Sequence, residues 1–300
     1  MDRDHYFLRG VRPVTTSSSI LVSSSRYLNN PRLRDWIAMI SLRQNRQDLP
    51  AAAELVELFD ILHDLHDLRD YERIESLFHE ERKTNQKLNA WFEEEYYAPE
   101  MKIEDYANFA ADTLGGALYK ALNGVYEVEV DKSQWKRADS QYEYYWRRHA
   151  QTHDLEHILT GGTLDALGEL VPAWFKMTNV PRFIKNQELA CELVAIHVFA
   201  SLRYTVRTML HYPEVWIDCA DAIQRGIVIG SASDPLFLAK LEPVLSLPIC
   251  EAREILGVRG VVDRDTSAAS AFWEGARETP PAPLAAAVPF HVTESSHADA

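Results

Sequence analysis

Residues 151–170 read QTHDLEHILTGGTLDALGEL, and they carry the residue types from which protein metal sites are built. His153 and His157 are four apart. On an α-helix such residues lie one above the other on the same face, so both imidazoles can reach one ion. Paired histidines at this spacing are the geometry of helical zinc sites. Asp154 sits about 100° round the helix from His153 and flanks that face, as a ligand or as an acceptor that orients an imidazole. On one straight helix Glu169 would lie roughly 18 Å beyond His157, too far to share a metal. The intervening glycines remove the difficulty. Gly161-Gly162 can end the first helix, Thr163 can cap a second, and the returning helix then presents Glu169 beside the histidines. The plainer reading is an ordinary helix that happens to carry histidines, but that reading gives no reason for the glycine break or the carboxylate after it. His153, Asp154, His157 and Glu169 are therefore the candidate metal-binding set. His149 extends the stripe by a turn, as a further ligand or, the favoured reading, as a helix-surface residue. Two imidazoles and two carboxylates suit zinc, iron(II), cobalt and manganese; zinc is the ion expected first.

Other chemistry is not encoded in this way. A second His-Asp cluster, HDLHD at 63–67, puts His63 and Asp67 opposite the face formed by Leu58, Leu62 and Leu65. They read as solvated charges, with no carboxylate returning to meet them. There is no glycine-rich phosphate loop, no GxSxG elbow and no CxxC pair.

The elements that must position the site come from the rest of the chain. Its 300 residues are 46% apolar and 25% charged, ample for one sizeable core. A formal net charge of −14, from 45 acidic against 31 basic residues, disfavours nucleic acid as a partner, since phosphates need a basic patch. Cys191, Cys219 and Cys250 are far apart, each in an apolar setting, and are expected to be buried, reduced thiols of a cytoplasmic protein. Nothing approaches the ~18 uncharged apolar residues of a bilayer-spanning helix. The most apolar stretch, 189–202, contains Glu192 and His197, read as satisfied polar groups of a core or as polar markers of a pocket wall, the former favoured.

From about residue 31 to about 258 almost every segment has helical periodicity. One long helix is expected through 49–97, with Leu58, Ile61, Leu62, Leu65 and Leu68 on one face. Shorter ones follow at 104–123, 133–159, 163–178, 186–210, 213–226, 234–241 and 248–256, separated by breakers that include Pro181, Gly226 and Gly230. The alternating stretch 124–130, GVYEVEV, could form a lone strand, but a lone strand builds no sheet. The expected fold is all-α: a single multi-helix domain over 31–261, with an irregular N-terminal arm at 1–30 and a disordered Pro/Ala/Ser-rich tail at 262–300.

The pattern HDLEH at 153–157 followed by Glu169 resembles the HDxxH-x11-E motif of the coenzyme Q (ubiquinone) biosynthesis protein four family. The resemblance extends to LTGGTLDALGEL at 159–170, to Trp174-Phe175, to DTLGGALYKAL at 112–122, and to AIQRG at 222–226 and LPICEAREILGV at 247–258. It spans about residues 50–260. His149 departs from the tyrosine expected there, the stretch after Phe175 is not Gly/Pro-rich, and the two tails have no counterpart. The resemblance implies an all-helical homodimer held peripherally at the inner face of a membrane, alongside other ubiquinone-biosynthesis enzymes. It implies a metal-dependent (oxidative) decarboxylase, with His153, Asp154, His157 and Glu169 as its metal-binding and catalytic residues, that replaces the C1 carboxyl of a polyprenylated hydroxybenzoate by hydroxyl, with the prenylated quinone precursor lipid in an apolar tunnel. The alternative is a non-catalytic prenyl-lipid scaffold that organises partner enzymes.

Overall fold

The structure, a computed structural model, describes residues 25–42, 63, 65–123 and 137–282. Its elements are α1 (Pro31–Leu42), α2 (Tyr71–Arg82), α3 (Gln86–Glu94), α4 (Ile103–Tyr106), α5 (Leu114–Leu122), α6 (Gln141–Thr160), α7 (Leu170–Phe183), α8 (Gln187–His211), α9 (Trp216–Ala232), α10 (Ile249–Ile255) and α11 (Ser267–Trp273), with short 3-10 turns between some of them. Among the described residues β pairing is limited to an isolated bridge between Thr113 and Pro248. The all-α expectation therefore holds. The possible strand at 124–130 lies outside the described residues, as do Leu58, Ile61 and Leu62 of the expected long helix.

Capping side chains divide helices that periodicity alone runs together. Within 49–97, the Asp70 carboxylate accepts from the Arg73 N–H at 3.0 Å and starts α2, and the Asn85 side chain accepts from the Leu88 N–H at 3.2 Å and starts α3. Within 104–123, the Thr113 hydroxyl accepts from the Gly116 N–H at 3.2 Å and starts α5. Each cap satisfies a first-turn N–H that the helix itself cannot. The opposite correction applies to three expected breakers. Pro181 lies inside α7, close to its end, where little backbone bonding is lost. Gly226 and Gly230 lie inside α9. A Cβ on Gly226 would stand 2.6 Å from the Val171 carbonyl oxygen, and one on Gly230 2.6 Å from that of Phe175. These glycines let α9 lie almost backbone to backbone on α7.

Helix α6 runs through two cores. Near its start Tyr142, Tyr144 and Tyr145 pack with Phe78, Trp91 and Phe92 of α2 and α3; the Trp91 and Tyr144 rings are 4.5 Å apart. Near its end Leu155 and Leu159 join Leu170, Val171 and Phe175 of α7 and Cys219, Ala222 and Ile229 of α9. Arg148, His149 and Thr152 lie between these two anchors and Glu156 and His157 within the second, so burial is imposed on them from both sides. Helix α8 is long and apolar enough by length and composition to cross a bilayer, a property not expected from the shorter stretch 189–202. In the fold, 61% of its most apolar window is buried, so much of that surface is already spent on the core. Of the cysteines only Cys219 is buried; Cys191 and Cys250 are exposed free thiols, against expectation.

The described part of the expected tail is built into this core. Trp273 of α11 is 1% exposed. It packs against Tyr204 at 5.2 Å and Tyr212 at 6.1 Å, with the Arg207 guanidinium 5.3 Å from its ring. Composition underweighted this residue, because one tryptophan can bury 150–250 Å² whatever surrounds it. Residues 283–300 lie outside the described residues. So do residues 1–24 of the expected arm, while Tyr27–Asn29 forms a 3-10 turn whose Tyr27 hydroxyl donates to Glu192. Trp273→Ala should cost about 3–5 kcal/mol of stability, read as a lower midpoint in urea unfolding. An unchanged midpoint would return 262–282 to the status of a dispensable tail.

Candidate metal centre

The site begins with how α6 ends. Gly161 adopts a left-handed conformation, φ +74°, that side chains with a Cβ rarely take, and Gly162 N–H donates to the His157 carbonyl at 2.8 Å. The remaining carbonyls are capped by two arginines. Arg253 donates from Nε to Leu159 O at 2.9 Å and from Nη2 to Ile158 O at 2.8 Å, and Arg225 donates from Nη1 to Gly161 O at 2.9 Å. Cations are favourable at this negative end of the helix. Both arginines lie in the two segments, 222–226 and 247–258, that carry part of the family resemblance.

The second helix starts later than spacing suggests. Thr163 does not cap α7, which begins at Leu170 with Glu169 in the position just before it. Thr163 instead accepts a hydrogen bond through its carbonyl from His157 Nδ1 at 3.0 Å. The Asp165 carbonyl accepts from the Glu169 N–H at 3.0 Å. The loop 161–169 thus holds both ligand-bearing residues by their flanks, and the returning chain brings Glu169 to the histidines as the glycine break implies.

Of the four expected ligands, three converge. Ligand atoms of His153, His157 and Glu169 lie within 4.8 Å of one another. Glu169 Oε1 is 3.3 Å from His157 Nε2, and Oε2 is 3.5 Å from His153 Nε2. Nitrogen and oxygen donors bound at about 2.0–2.1 Å stand about 3.3–3.4 Å apart; each histidine faces its own Glu169 oxygen at close to that separation, which brings the three side chains within reach of one ion. His157 Nε2 is buried and makes no hydrogen bond. Because Nδ1 donates to Thr163, Nε2 is a bare acceptor facing a carboxylate, an arrangement that calls for a cation or a proton. The donors present fit a divalent metal. Asp154 does not join the converging group. It is half-buried, and its charge helps to raise the pKa of His157. His157 is 1% exposed, whereas His153 and Glu169 are 34% and 37% exposed; the site is therefore closed at His157 and open along its other edge.

Around the ligands α6 buries charge in pairs. Lys176 of α7 and Glu156 form an ion pair with both side chains almost wholly buried. Lys176 Nζ also donates to His149 Nδ1 at 2.7 Å, and the Thr152 hydroxyl donates to Glu156 Oε1 at 2.9 Å. Pairing of this kind is what makes a buried charge tolerable. His149 is consequently held from the interior, against the expectation of a surface residue, and with Nδ1 accepting it carries its proton on Nε2. Its ring meets that of His197 at 5.0 Å, and a row of imidazoles continues through His153 to His157 with centroid separations of 6.2 and 4.9 Å. Burial first and the Lys176 ammonium second hold His149 and His197 well below the ordinary imidazole range, so both are neutral at pH 7. Arg148 pairs with Glu242 at 2.8 Å, a structural contact. Glu192 receives Tyr27 and is a satisfied core group, as expected. Lys176 and Glu156 are not legible from spacing, and Thr163 is legible only as a helix cap. A lysine inside the apolar run VPAWFKMTNV was the available signal for the first.

No protein-family model matches this chain, and no curated protein matches its sequence. In three dimensions it is similar to the crystal structure of a protein from Nostoc punctiforme PCC 73102 that is provisionally assigned to ubiquinone biosynthesis. The TM-score is 0.52 at 19% identity, over 76% of this chain and 99% of that one. The likeness is one of fold.

The electrostatics set a pH dependence. Burial disfavours charge on His157, but Glu169, then Asp154 and the Thr163 carbonyl, outweigh it and raise the pKa of the ring above its ordinary 6.5. Burial likewise opposes charge on Glu169, yet His157 and His153 hold its carboxyl well below the usual 4.5. Without metal, the raised histidine contributes stability that is full below 6.5 and is lost as pH rises through its folded value. The depressed carboxylate contributes stability above 4.5 that is lost as pH falls through its folded value. The pair thus stabilises the metal-free chain most between those two values, and Glu169→Gln should flatten the alkaline decline in melting temperature. Metal has the opposite sign, because it displaces the His157 proton. Zinc affinity measured by calorimetry should rise with pH through that same range; affinity independent of pH would contradict the assignment of His157.

Proposed function

We propose that this chain is a metal-dependent decarboxylase that removes the C1 carboxyl of a polyprenylated hydroxybenzoate in ubiquinone biosynthesis, working at a membrane surface. The observation that carries the reading is the convergence of His153, His157 and Glu169 around a buried, bare imidazole nitrogen. Two further facts support it: the HDLEH…Glu169 pattern with its flanking segments, and a fold like that of a protein whose given role is ubiquinone biosynthesis. When bound, a divalent ion supplies a Lewis acid that stabilises the negative charge developing on oxygen as the carboxyl leaves.

The chain's own residues do the rest. His157, locked by Thr163, forms the closed side of the site, and the partly exposed His153 and Glu169 leave an edge at which an anionic oxygen of the aromatic head can arrive. Two neutral imidazoles and one carboxylate, with Asp154 close by, leave a dication near neutral overall and able to accept that oxygen. The Nε2–H of His149 is a neutral donor beside His153 for a second oxygen of the head. Lys176, engaged by Glu156 and His149, keeps the wall polar without offering a free charge. A prenyl tail would contribute affinity at about 0.8 kcal/mol per buried methylene and so orient the head.

The test is release of labelled carbon dioxide from a short-chain prenyl hydroxybenzoate by metal-loaded protein. His157→Ala should strip the ion from a folded chain. Glu169→Gln should weaken metal binding and turnover together, by more than the about 10- to 100-fold typical of losing a residue that only orients a ligand. Decarboxylation undiminished in metal-free protein would rule the mechanism out. Tight lipid binding without carbon dioxide would replace the enzyme by a scaffold.

A further inference from the structure

We propose that Asp165, Thr266 and Ser270 are positioning residues of the metal centre, forming a clasp by which α11 and the residue just before it hold the ligand loop in its metal-binding shape. The proposal rests on the metal-centre reading and goes beyond it, since none of the three is a ligand.

The side-chain hydrogen bonds of Thr266 and Ser270 all land on residues 163–167. Thr266 donates its hydroxyl to Asp165 Oδ1 at 2.7 Å. A hydroxyl has one proton to give, so in the short contact between Thr266 and Thr163 the donor is Thr163. Ser270 donates to the same Asp165 oxygen and accepts from the Leu167 N–H at 2.9 Å. Asp165 Oδ1 also accepts from the Gly168 N–H at 2.9 Å. One carboxylate oxygen thereby gathers the hydroxyls of Thr266 and Ser270 and the backbone just before Glu169.

Two of the loop residues so held, Thr163 and Asp165, are coupled directly to a ligand residue. Thr163 is the residue whose carbonyl fixes the His157 tautomer, and the Asp165 carbonyl receives the Glu169 N–H. Moving Thr163 turns the His157 ring; moving Asp165 shifts the Glu169 backbone. The clasp has a fixed base, because Trp273 seats α11 in the core independently of the loop. The segment leading into it is tied to the same turn: Arg253, which caps α6, pairs with Asp263, and Arg225 bonds both Gly161 O and Val262 O, the latter at 3.2 Å. Thr266 and Ser270 are 3% and 1% exposed, so water cannot replace a bond that is removed. Partners that orient ligands typically tune metal affinity 10- to 100-fold.

The test titrates cobalt(II) into full-length, chelator-stripped protein and follows its visible absorption, which reports ligand number and geometry. Thr266→Val and Ser270→Ala remove the hydroxyls with little change of shape. Each should weaken cobalt binding about 10- to 100-fold and alter the cobalt spectrum, while circular dichroism stays that of a folded helical protein. Thr266→Ser, which keeps the hydroxyl, should restore affinity. Ala269→Gly loosens the same helix without touching the clasp and should bind cobalt as wild type does. Wild-type affinity and spectrum in folded Thr266→Val and Ser270→Ala would overturn the clasp and leave the metal centre standing. An equal loss in Ala269→Gly, or no rescue by Thr266→Ser, would show general loosening and also overturn it. Failure of wild-type protein to bind cobalt would remove the metal centre, and the clasp with it.

Discussion

The hydrogen bond from His157 Nδ1 to the Thr163 carbonyl governs what this molecule can do at its centre. It assigns the ring proton to one nitrogen and leaves the other bare, in a position with no access to water. A bare buried acceptor facing the Glu169 carboxylate is unfavourable until a positive charge comes between them. In the metal-free state that charge is a proton, which is why the pKa of His157 is raised and that of Glu169 depressed. A metal ion held by His153, His157 and Glu169 would take the place of that proton. The left-handed turn at Gly161, the arginine caps and the hydroxyls of Thr266 and Ser270 all hold Thr163 and its neighbours where this bond can form.

That arrangement needs a helix whose polar middle is buried, and the two cores explain how α6 sustains one. Aromatic packing on α2 and α3 fixes its start, and aliphatic packing on α7 and α9 fixes its end. The residues between are carried into the interior with them. Glu156 and Lys176 meet there as a pair, with Thr152 and His149 taking up their further hydrogen bonds. Such a pair contributes little net stability over an apolar one, but removing one partner leaves a buried charge, so the network fixes a single arrangement of α6 against α7. The same network keeps His149 and His197 neutral beside the ligands. The polarity next to the centre is therefore one of hydrogen-bond donors and acceptors rather than of free charge.

Much of this was legible in the sequence, because it rests on local periodicity. The spacing of His153 and His157 places them on one face wherever a helix forms, and the glycine pair between them and Glu169 permits the chain to return. Helical periodicity with regular breakers specified an all-α fold. Local rules erred where one residue type serves two purposes. Gly226 and Gly230 break helices in water but permit close packing inside α9. Thr163 is a good cap by type, yet its carbonyl was the group required. Asp70, Asn85 and Thr113 lie within apolar periodicity and were passed over as caps.

The sequence by itself therefore determined the ligand types, their face and the class of fold, since each depends on contacts within a few residues of chain. Only the tertiary structure decided which carboxylate closes the site, which histidines are buried, and what holds the loop. Asp154 is adjacent to His153 in sequence yet remains outside the converging group, whereas Glu169, twelve residues beyond His157, enters it. His149 and Lys176 are paired across two helices, and Thr266 and Ser270 reach the loop from about a hundred residues away. Such contacts leave no local period to read, because they are set by where Trp273 and the aliphatic core seat α11, a matter of packing free energy summed over the whole fold.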